Sequence, residues 1–389
     1  MKKLFKIIFI LLIFLSINGS AQAKSELKIG AILPLSGDNQ LLGNNIYKSI
    51  LITIFELKNL NIKIIPLDTK SSKEGAISAF KEGINQNVDI FVGPIFYETV
   101  DHIKNIEGFK NKVFISYSNI EKNLFPNVIN FGVNLSSQTN TLQELFNNND
   151  KFIFFGDNSN FTKKVLEKTK KFKSRNTRSV FYTSFNDLDN KIKKITNFEN
   201  RNKKHLLEIK KLEEIHESKK DNETENSFDL QVIESMKKHD TSDKVDFKKV
   251  FVSSFEDELI ASISYFDYYD ANYKDVQFVT LNLWFDKKYL IEPSLENLIF
   301  PSIDLNGFLE LNKKYQANFG RNIYHLEALT FDIIPLISAT WFSTKETQLK
   351  ASMFNGSYKG KTGEFTIKEN KTDRKLFLYK IENKKFKKI

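Results

Sequence analysis

Apolar residues along the chain follow two alternating rhythms. Strand-length apolar runs occur at Leu27–Leu33, Asn61–Leu67, Val88–Val92, Val113–Ser116 and Val128–Phe131. Between them, apolar positions recur at helical spacing: Leu42, Ile46, Ile50, Thr53 and Leu57, then Ala76, Ile77, Phe80, Gly83 and Ile84, then a short helix over Glu98–Ile106. Strands that alternate with helices predict a parallel sheet covered on both faces.

The rhythm then starts again. Leu142, Leu145 and Phe146 share a helical face, Phe152–Phe155 reads as a strand, and Phe161, Val165, Leu166, Thr169 and Phe172 form a helix stripe. Strands at Ser179–Thr183, Val250–Ser253 and Val276–Leu281 follow, with a helix through Leu259, Ile260, Ile263 and Phe266. Helical patterns return at 308–319 and 325–342. The chain closes on "FNGSYKGKTGEFTI" and "RKLFLYKI", which read as a β-hairpin with "ENKTD" as its loop. Two successive αβ sheets predict an α/β fold of two Rossmann-like lobes with parallel sheets. The expected division is 24–133 with 304–350 in lobe 1, and 134–303 with 351–389 in lobe 2.

Residues 186–248 interrupt the second lobe. They are dominated by Lys, Glu, Asp and Asn and contain neither Gly nor Pro. Ile192, Ile195, Leu206, Ile209 and Leu212 predict one or two helices with a narrow apolar stripe, and "ESKKDNETENS" reads as a turn or disordered centre. With few large apolar residues, this charged helical insertion is expected to add little to either core. It is either a solvated surface excursion or a docking arm for a partner.

Lys2, Lys3 and Lys6 precede the apolar run Ile7–Ile17, and Ala21-Gln22-Ala23 supplies a small-x-small cleavage pattern. This predicts a cleavable secretory signal peptide, cut after Ala23. The run falls short of the ~20 residues that span a bilayer, so no membrane span is expected in the mature chain, which is expected in the periplasm. The rest of the 389-residue chain has the length of two domains.

The chain has no cysteine, which excludes thiol catalysis, disulfides and cysteine metal sites. Its five histidines form no H-E-x-x-H pattern or close pair, so no metal and no cofactor is expected. The net charge of +10 comes from lysines that are spread along the chain and gather mostly in residues 186–248, whereas nucleic-acid binding needs a focused basic face, so nucleic-acid binding is not expected. There is neither a G-x-S-x-G elbow nor a phosphate loop, and a non-enzymatic protein is expected.

In an open parallel sheet, ligands bind outside the carboxyl ends of the strands. Three predicted strand ends carry hydroxyls, small residues or bare amides ahead of a helix: Ser36-Gly37, Gly93-Pro94-Ile95-Phe96-Tyr97, and Ser116-Tyr117-Ser118-Asn119. Unpaired N–H groups at helix starts suit a carboxylate or other polar group. Such turns are also ordinary punctuation. The facing wall falls on Gly156-Asp157-Asn158, on Ser253-Ser254-Phe255-Glu256, and on Asn282-Leu283-Trp284, whose tryptophan is a stacking platform or a packing residue.

Several stretches resemble the leucine/isoleucine/valine-type family of type I periplasmic binding proteins. They are "KIGAILPLSGDNQLLGNNIYKSI", "IIPLDTKSS", "DIFVGPIF", "VFISYSN", "YHLEALTFDIIPLISA" and the closing Gly-x-x-Gly-x-Phe pair. "VQFVTLNLW" and the charged insertion resemble the branch labelled penicillin-binding-protein activator. The resemblance covers nearly all of the mature chain. It implies two lobes joined by three crossovers, with ligand loops at Ser36, Tyr97 and Ser118 and an acidic contact near Ser254 to Glu256. Where the family holds an α-carboxylate with Ser and Thr, this chain has Tyr97 and Ile120, so a free branched-chain amino acid is not the expected ligand. The implied functions are capture of a small polar or amino-acid-like solute for an ABC-type importer in the inner membrane or, alternatively, regulation of a cell-wall synthase by docking.

Overall fold

The computed structural model describes residues 26–58, 61–122, 125–146, 151–218 and 223–389. The expected signal peptide and its cleavage site lie outside these residues. The chain forms two compact units. The first comprises residues up to Ser118, Asn123–Asn130 and Leu329–Asn355, and the second Asn119–Lys122, Phe131–Ala328 and Gly356–Ile389. The main boundaries thus fall after 130, 328 and 355 rather than after 133, 303 and 350.

In the first unit, β1 (Leu27–Leu33), β2 (Ile62–Asp68), β3 (Ile90–Val92), β4 (Val113–Ser116) and β5 (Val128–Asn130) pair in parallel in the order β2-β1-β3-β4-β5. The order reverses between β1 and β3, where a doubly wound sheet opens its crevice. Leu27, Ile29, Ala31, Ile32 and Leu33 are all fully buried, which is why β1 reads as an unbroken apolar run. Helices α1 (Gln40–Glu56), α2 (Lys73–Asn85) and α3 (Tyr97–Ile103) connect the strands. Phe80, Phe91, Phe109 and Phe114 fill the core, with Phe91 and Phe114 stacked at 4.8 Å.

In the second unit the sheet order is β15-β14-β10-β9-β8-β6-β7. β6 (Lys151–Asp157), β7 (Arg175–Tyr182), β8 (Lys249–Ser253), β9 (Gln277–Thr280) and β10 (Ile299–Ser302) run parallel, and β14 (Phe377–Glu382) and β15 (Lys385–Lys388) run antiparallel. Phe146, Phe152, Phe154, Phe172 and Phe251 form an aromatic core beneath it. The unit's helices are α4 (Leu135–Leu142), α5 (Asn160–Thr169), α6 (Phe185–Ile195), α7 (Phe198–Ser218), α8 (Glu223–Met236), α9 (Glu256–Tyr268) and α10 (Leu305–Phe319). A last helix, α11 (His325–Ser343), begins here and continues into the first unit.

Two sequence-based expectations are corrected. The insertion is not peripheral at its start: α6 buries Leu188, Ile192 and Ile195 as the crossover helix after β7. It is tied to α9, since Tyr269 Oη donates to Asp189 Oδ1 at 2.6 Å. Arg201 then anchors α7, its guanidinium donating to the carbonyls of Thr196, Asp243, Tyr269 and Asp270. Buried carbonyls at chain ends need such donors, so residues 186–201 belong to the core framework. Of the predicted polar centre, residues from Glu223 are helical, and 219–222 lie outside the described residues.

The second correction concerns the C-terminal hairpin. "ENKTD" is not a loop. Glu369 and Asn370, at φ +51° and +61°, make a tight turn, and β13 (Lys371–Arg374) returns antiparallel to β12 (Gly363–Lys368), which pairs with β11 (Gly356–Gly360). Two consecutive positive-φ residues match the twist of a two-residue hairpin. "RKLFLYKI" supplies β14, which pairs instead with β10 and β15.

Candidate functional site

The strand ends of the first unit keep most of their polar groups for themselves. The backbone N–H groups of Leu35, Ser36 and Lys70 donate to Asp68 Oδ1 at 2.9, 3.1 and 2.8 Å. Ser36 Oγ donates to Asp68 Oδ2 at 2.6 Å. Burial raises the Asp68 pKa, but these four donors outweigh it and hold the carboxyl below its ordinary value. The socket expected at Ser36-Gly37 is therefore filled by the chain's own carboxylate. Gly37 is required there: at φ +79°, a Cβ would sit 2.6 Å from the Lys70 carbonyl oxygen.

Gly93 has φ +99°, and its Cβ would meet the Ile32 carbonyl oxygen at 2.4 Å. Ser116 Oγ donates to the Pro94 carbonyl at 2.9 Å and accepts from Ser118 N at 3.1 Å. Ser118 is buried and Asn119 exposed. Tyr97 packs its ring on Phe125 at 6.2 Å. Its hydroxyl has no hydrogen-bond partner among the described residues, and burial and Asp101 raise its pKa. Tyr117, within the same predicted turn, pairs its hydroxyl with Thr330 Oγ1 at 2.8 Å. A cavity at these strand ends, lined by Asn39, Thr69, Ser71, Thr99 and His102, measures 90 Å³. That is below the range of small-molecule sites, roughly 300–1,000 Å³.

The second unit differs. Ser254 Oγ hydrogen-bonds Tyr182 Oη at 2.9 Å, and Tyr182 donates to Glu258 at 2.8 Å. Asp157 accepts from the hydroxyls of Ser159 and Thr162. Glu256 and Trp284, however, line one pocket of 790 Å³. Its walls come from Phe255 and Glu256 at the start of α9, the loop Asn282–Leu290 after β9, the first turns of α10, residues 322–325, and the β14–β15 turn. Most of these side chains are aromatic or aliphatic.

The loop after β9 holds its shape by internal contacts. Trp284 and Phe285 both adopt positive φ, +52° and +56°, conformations that side-chain-bearing residues adopt only when surroundings impose them. Phe285 is wedged between Phe300, Phe308, Tyr379 and Phe386, with ring centroids 4.9–6.0 Å away. Asn282 Oδ1 accepts the Trp284 N–H at 2.8 Å, and Asn282 N donates to Gln138 Oε1 at 3.0 Å. The indole of Trp284 stacks on His325 at 4.2 Å. Burial lowers the His325 pKa to about 4, so the imidazole is neutral near pH 7. Burial likewise pushes the Tyr289 hydroxyl up to about 12.

One polar group in this wall is unmatched. Asn282 is 6% exposed, and its Nδ2 has no hydrogen-bond partner among the described residues. An unsatisfied buried donor costs about 1–3 kcal/mol. Of the ten expected site residues, the pocket gathers Glu256 and Trp284. Ser254 is engaged with Tyr182, and the other seven lie at the strand ends described above. His325, Tyr289, Phe308 and Phe386 were not among the expected residues, because an aromatic in a sequence is first of all a core residue.

Solved structures share this architecture. A leucine-, isoleucine-, valine-, threonine- and alanine-binding protein from Brucella ovis matches with TM-score 0.64 over 94% of both chains at 11% identity. LivJ, a branched-chain amino acid transporter substrate-binding protein from Streptococcus pneumoniae solved with isoleucine, matches with TM-score 0.58 over 93% of this chain and 98% of its own at 14% identity. The chain has the type I periplasmic binding protein fold. The same fold is found in the C-domain of LpoA from Haemophilus influenzae, a regulator of PBP1A, which matches with TM-score 0.58 over 93% of this chain and 99% of its own at 12% identity. No family model and no curated protein matches the sequence. At these identities the likeness extends to the fold.

Proposed function

We propose that this chain is an exported, non-catalytic binding protein that captures a small solute for an ABC-type importer, and that the second unit's pocket is where the solute is held. The pocket carries this reading: at 790 Å³ it has the size, and with its aromatic walls the lining, of small-molecule sites. Export rests on the basic N-terminus, its apolar run and Ala21-Gln22-Ala23. Two of the similar structures are named as binding proteins for branched-chain and other amino acids, which supports capture.

A second reading, a periplasmic regulator that docks on a cell-wall synthase, is supported by the likeness to LpoA and by exposed Leu206, Leu207 and Ile215 on α7 with Leu230 on α8. Capture requires no such helices. Native mass spectrometry of the purified protein separates the two. A stoichiometric small molecule, lost in Trp284→Ala, supports capture. Protein that is empty, together with a cell-wall synthase cross-linked through α7, supports docking.

A further inference from the structure

The 790 Å³ pocket carries an inference about ligand class, resting on the reading that this pocket is where the solute is held. The asparagines in its wall are already spent on the chain. Asn312 Oδ1 accepts the Ile323 N–H at 2.9 Å, and Asn312 Nδ2 donates to Asn322 Oδ1 at 3.2 Å. Asn282 Oδ1 holds the Trp284 N–H, and its unmatched Nδ2 is sealed beneath the surface, out of a ligand's reach. What the wall offers is mostly carbon, from Leu290, Leu305, Phe308, Ile323 and Phe386 among others. Three more of its large apolar residues, Phe255, Leu309 and Tyr324, stay exposed. Exposed apolar residues gathered at one concave site mark a surface kept for an apolar ligand.

The charges in the wall belong to exposed side chains. Lys287 lies in the loop after β9, and Lys384 and Lys385 lie at the β14–β15 turn. None of the three has an ion pair among the described residues. Glu382, beside that turn, is taken by Lys380 and Lys387. The wall holds two acids. Asp286 caps the turn that follows it, accepting the Lys288 N–H at 3.0 Å, and Glu256 opens α9. An ammonium on a flexible four-carbon stem reaches an anionic group without a fixed geometry, so the lysines suit the charged end of a ligand whose body lies on the apolar wall.

We propose that the pocket takes an amphiphilic anion, with an apolar body against the aromatic and aliphatic wall and one acid group held by Lys287, Lys384 or Lys385. A free amino acid leaves most of that wall uncovered and brings an ammonium group to three others.

The test is calorimetric titration with hexanoate, octanoate and decanoate, each below its micelle concentration, beside decyltrimethylammonium and 1-decanol. Affinity should rise about four-fold per added CH₂, the value of burying one methylene, and decanoate should bind more tightly than decyltrimethylammonium. The variant Lys287→Gln/Lys384→Gln/Lys385→Gln should weaken decanoate about three-fold or more, the low end for three exposed ion pairs. It should bind 1-decanol as the wild type does, which also reports an intact pocket. Leu309→Asp, at an exposed position of the wall, should lose about ten-fold or more for decanoate. A flat chain-length series, a cation that binds as tightly as decanoate, or unchanged decanoate affinity in the lysine variant overturns the proposal. If the series is flat while a small molecule retained by the purified wild type is lost in Trp284→Ala, the ligand class is wrong and the pocket stands. If decanoate binds Leu309→Asp as tightly as the wild type, the pocket assignment falls as well.

Discussion

Ser36 Oγ donates to Asp68 Oδ2 at 2.6 Å, so the first strand-end turn is closed by the end of the neighbouring strand. Asp68 joins the ends of β1 and β2 and satisfies three backbone donors at once. Asp68→Ala should therefore destabilise the protein by about 1.5–3 kcal/mol, the usual loss for hydrogen bonds to a charged group. Urea unfolding measures this. Ligand affinity at the second unit's pocket should not change, because no atom of that cluster lines it.

His325 gives the protein a pH signature. Its folded-state pKa of about 4 lies below the ordinary value of 6.5. Between those values the unfolded chain binds more protons, so this contribution to stability is complete above pH 6.5. It declines as pH falls toward 4, by at most about 1.4 kcal/mol per unit. Depressed carboxylates such as Asp68 lose their contribution lower still. His325→Phe keeps a ring against Trp284 and removes the titration. On acidification from pH 6.5 to 4 the melting temperature of the wild type should fall relative to that of the variant, and parallel curves would contradict the assignment.

The helices between β7 and β8 should respond unequally to truncation. Ile192 is fully buried on α6, and Ile192→Ala should cost about 2–5 kcal/mol. Leu207, 52% exposed on α7, should tolerate Leu207→Ala within about 0.5 kcal/mol. Removing residues 186–248 as a block should prevent folding, since it takes away a crossover helix and the Arg201 anchor. Soluble, cooperatively melting protein after that deletion would show that α6 is dispensable.

Gly93→Ala should be among the most damaging small substitutions in the first unit. Its φ is +99°, and an added Cβ would lie 2.4 Å from the Ile32 carbonyl oxygen, which leaves a methyl group no room. A melting temperature close to the parent's would mean that this turn relaxes more readily than its geometry indicates.

Much of the fold was legible because parallel strands buried on both faces write themselves as apolar runs. Leu27–Leu33 and Val113–Ser116 coincide with β1 and β4. The role of α6 was harder to see, although Leu188, Ile192 and Ile195 lie at helical spacing, because the surrounding charge masks a stripe of three residues. "RKLFLYKI" alternates like a hairpin arm, yet alternation does not say which strand it pairs with. The site was legible only in part. Trp284 and Glu256 follow predicted strands and do share a pocket. Whether Ser36 is free depends on Asp68, 32 positions away, and whether Asn282 is unmatched depends on which end of its amide the Trp284 N–H selects. Neither fact is local in sequence.

The central claim, that ligand is held in the second unit's pocket against Trp284, is tested most directly by tryptophan fluorescence. The chain has two tryptophans, and Trp341 is buried in the first unit. In a Trp341→Phe background, Trp284 is the sole indole reporter. Titration with the small molecule retained by the purified protein should shift and quench its emission saturably, with the same midpoint as the heat of binding. A measurable heat of binding with no change in Trp284 emission would contradict the account.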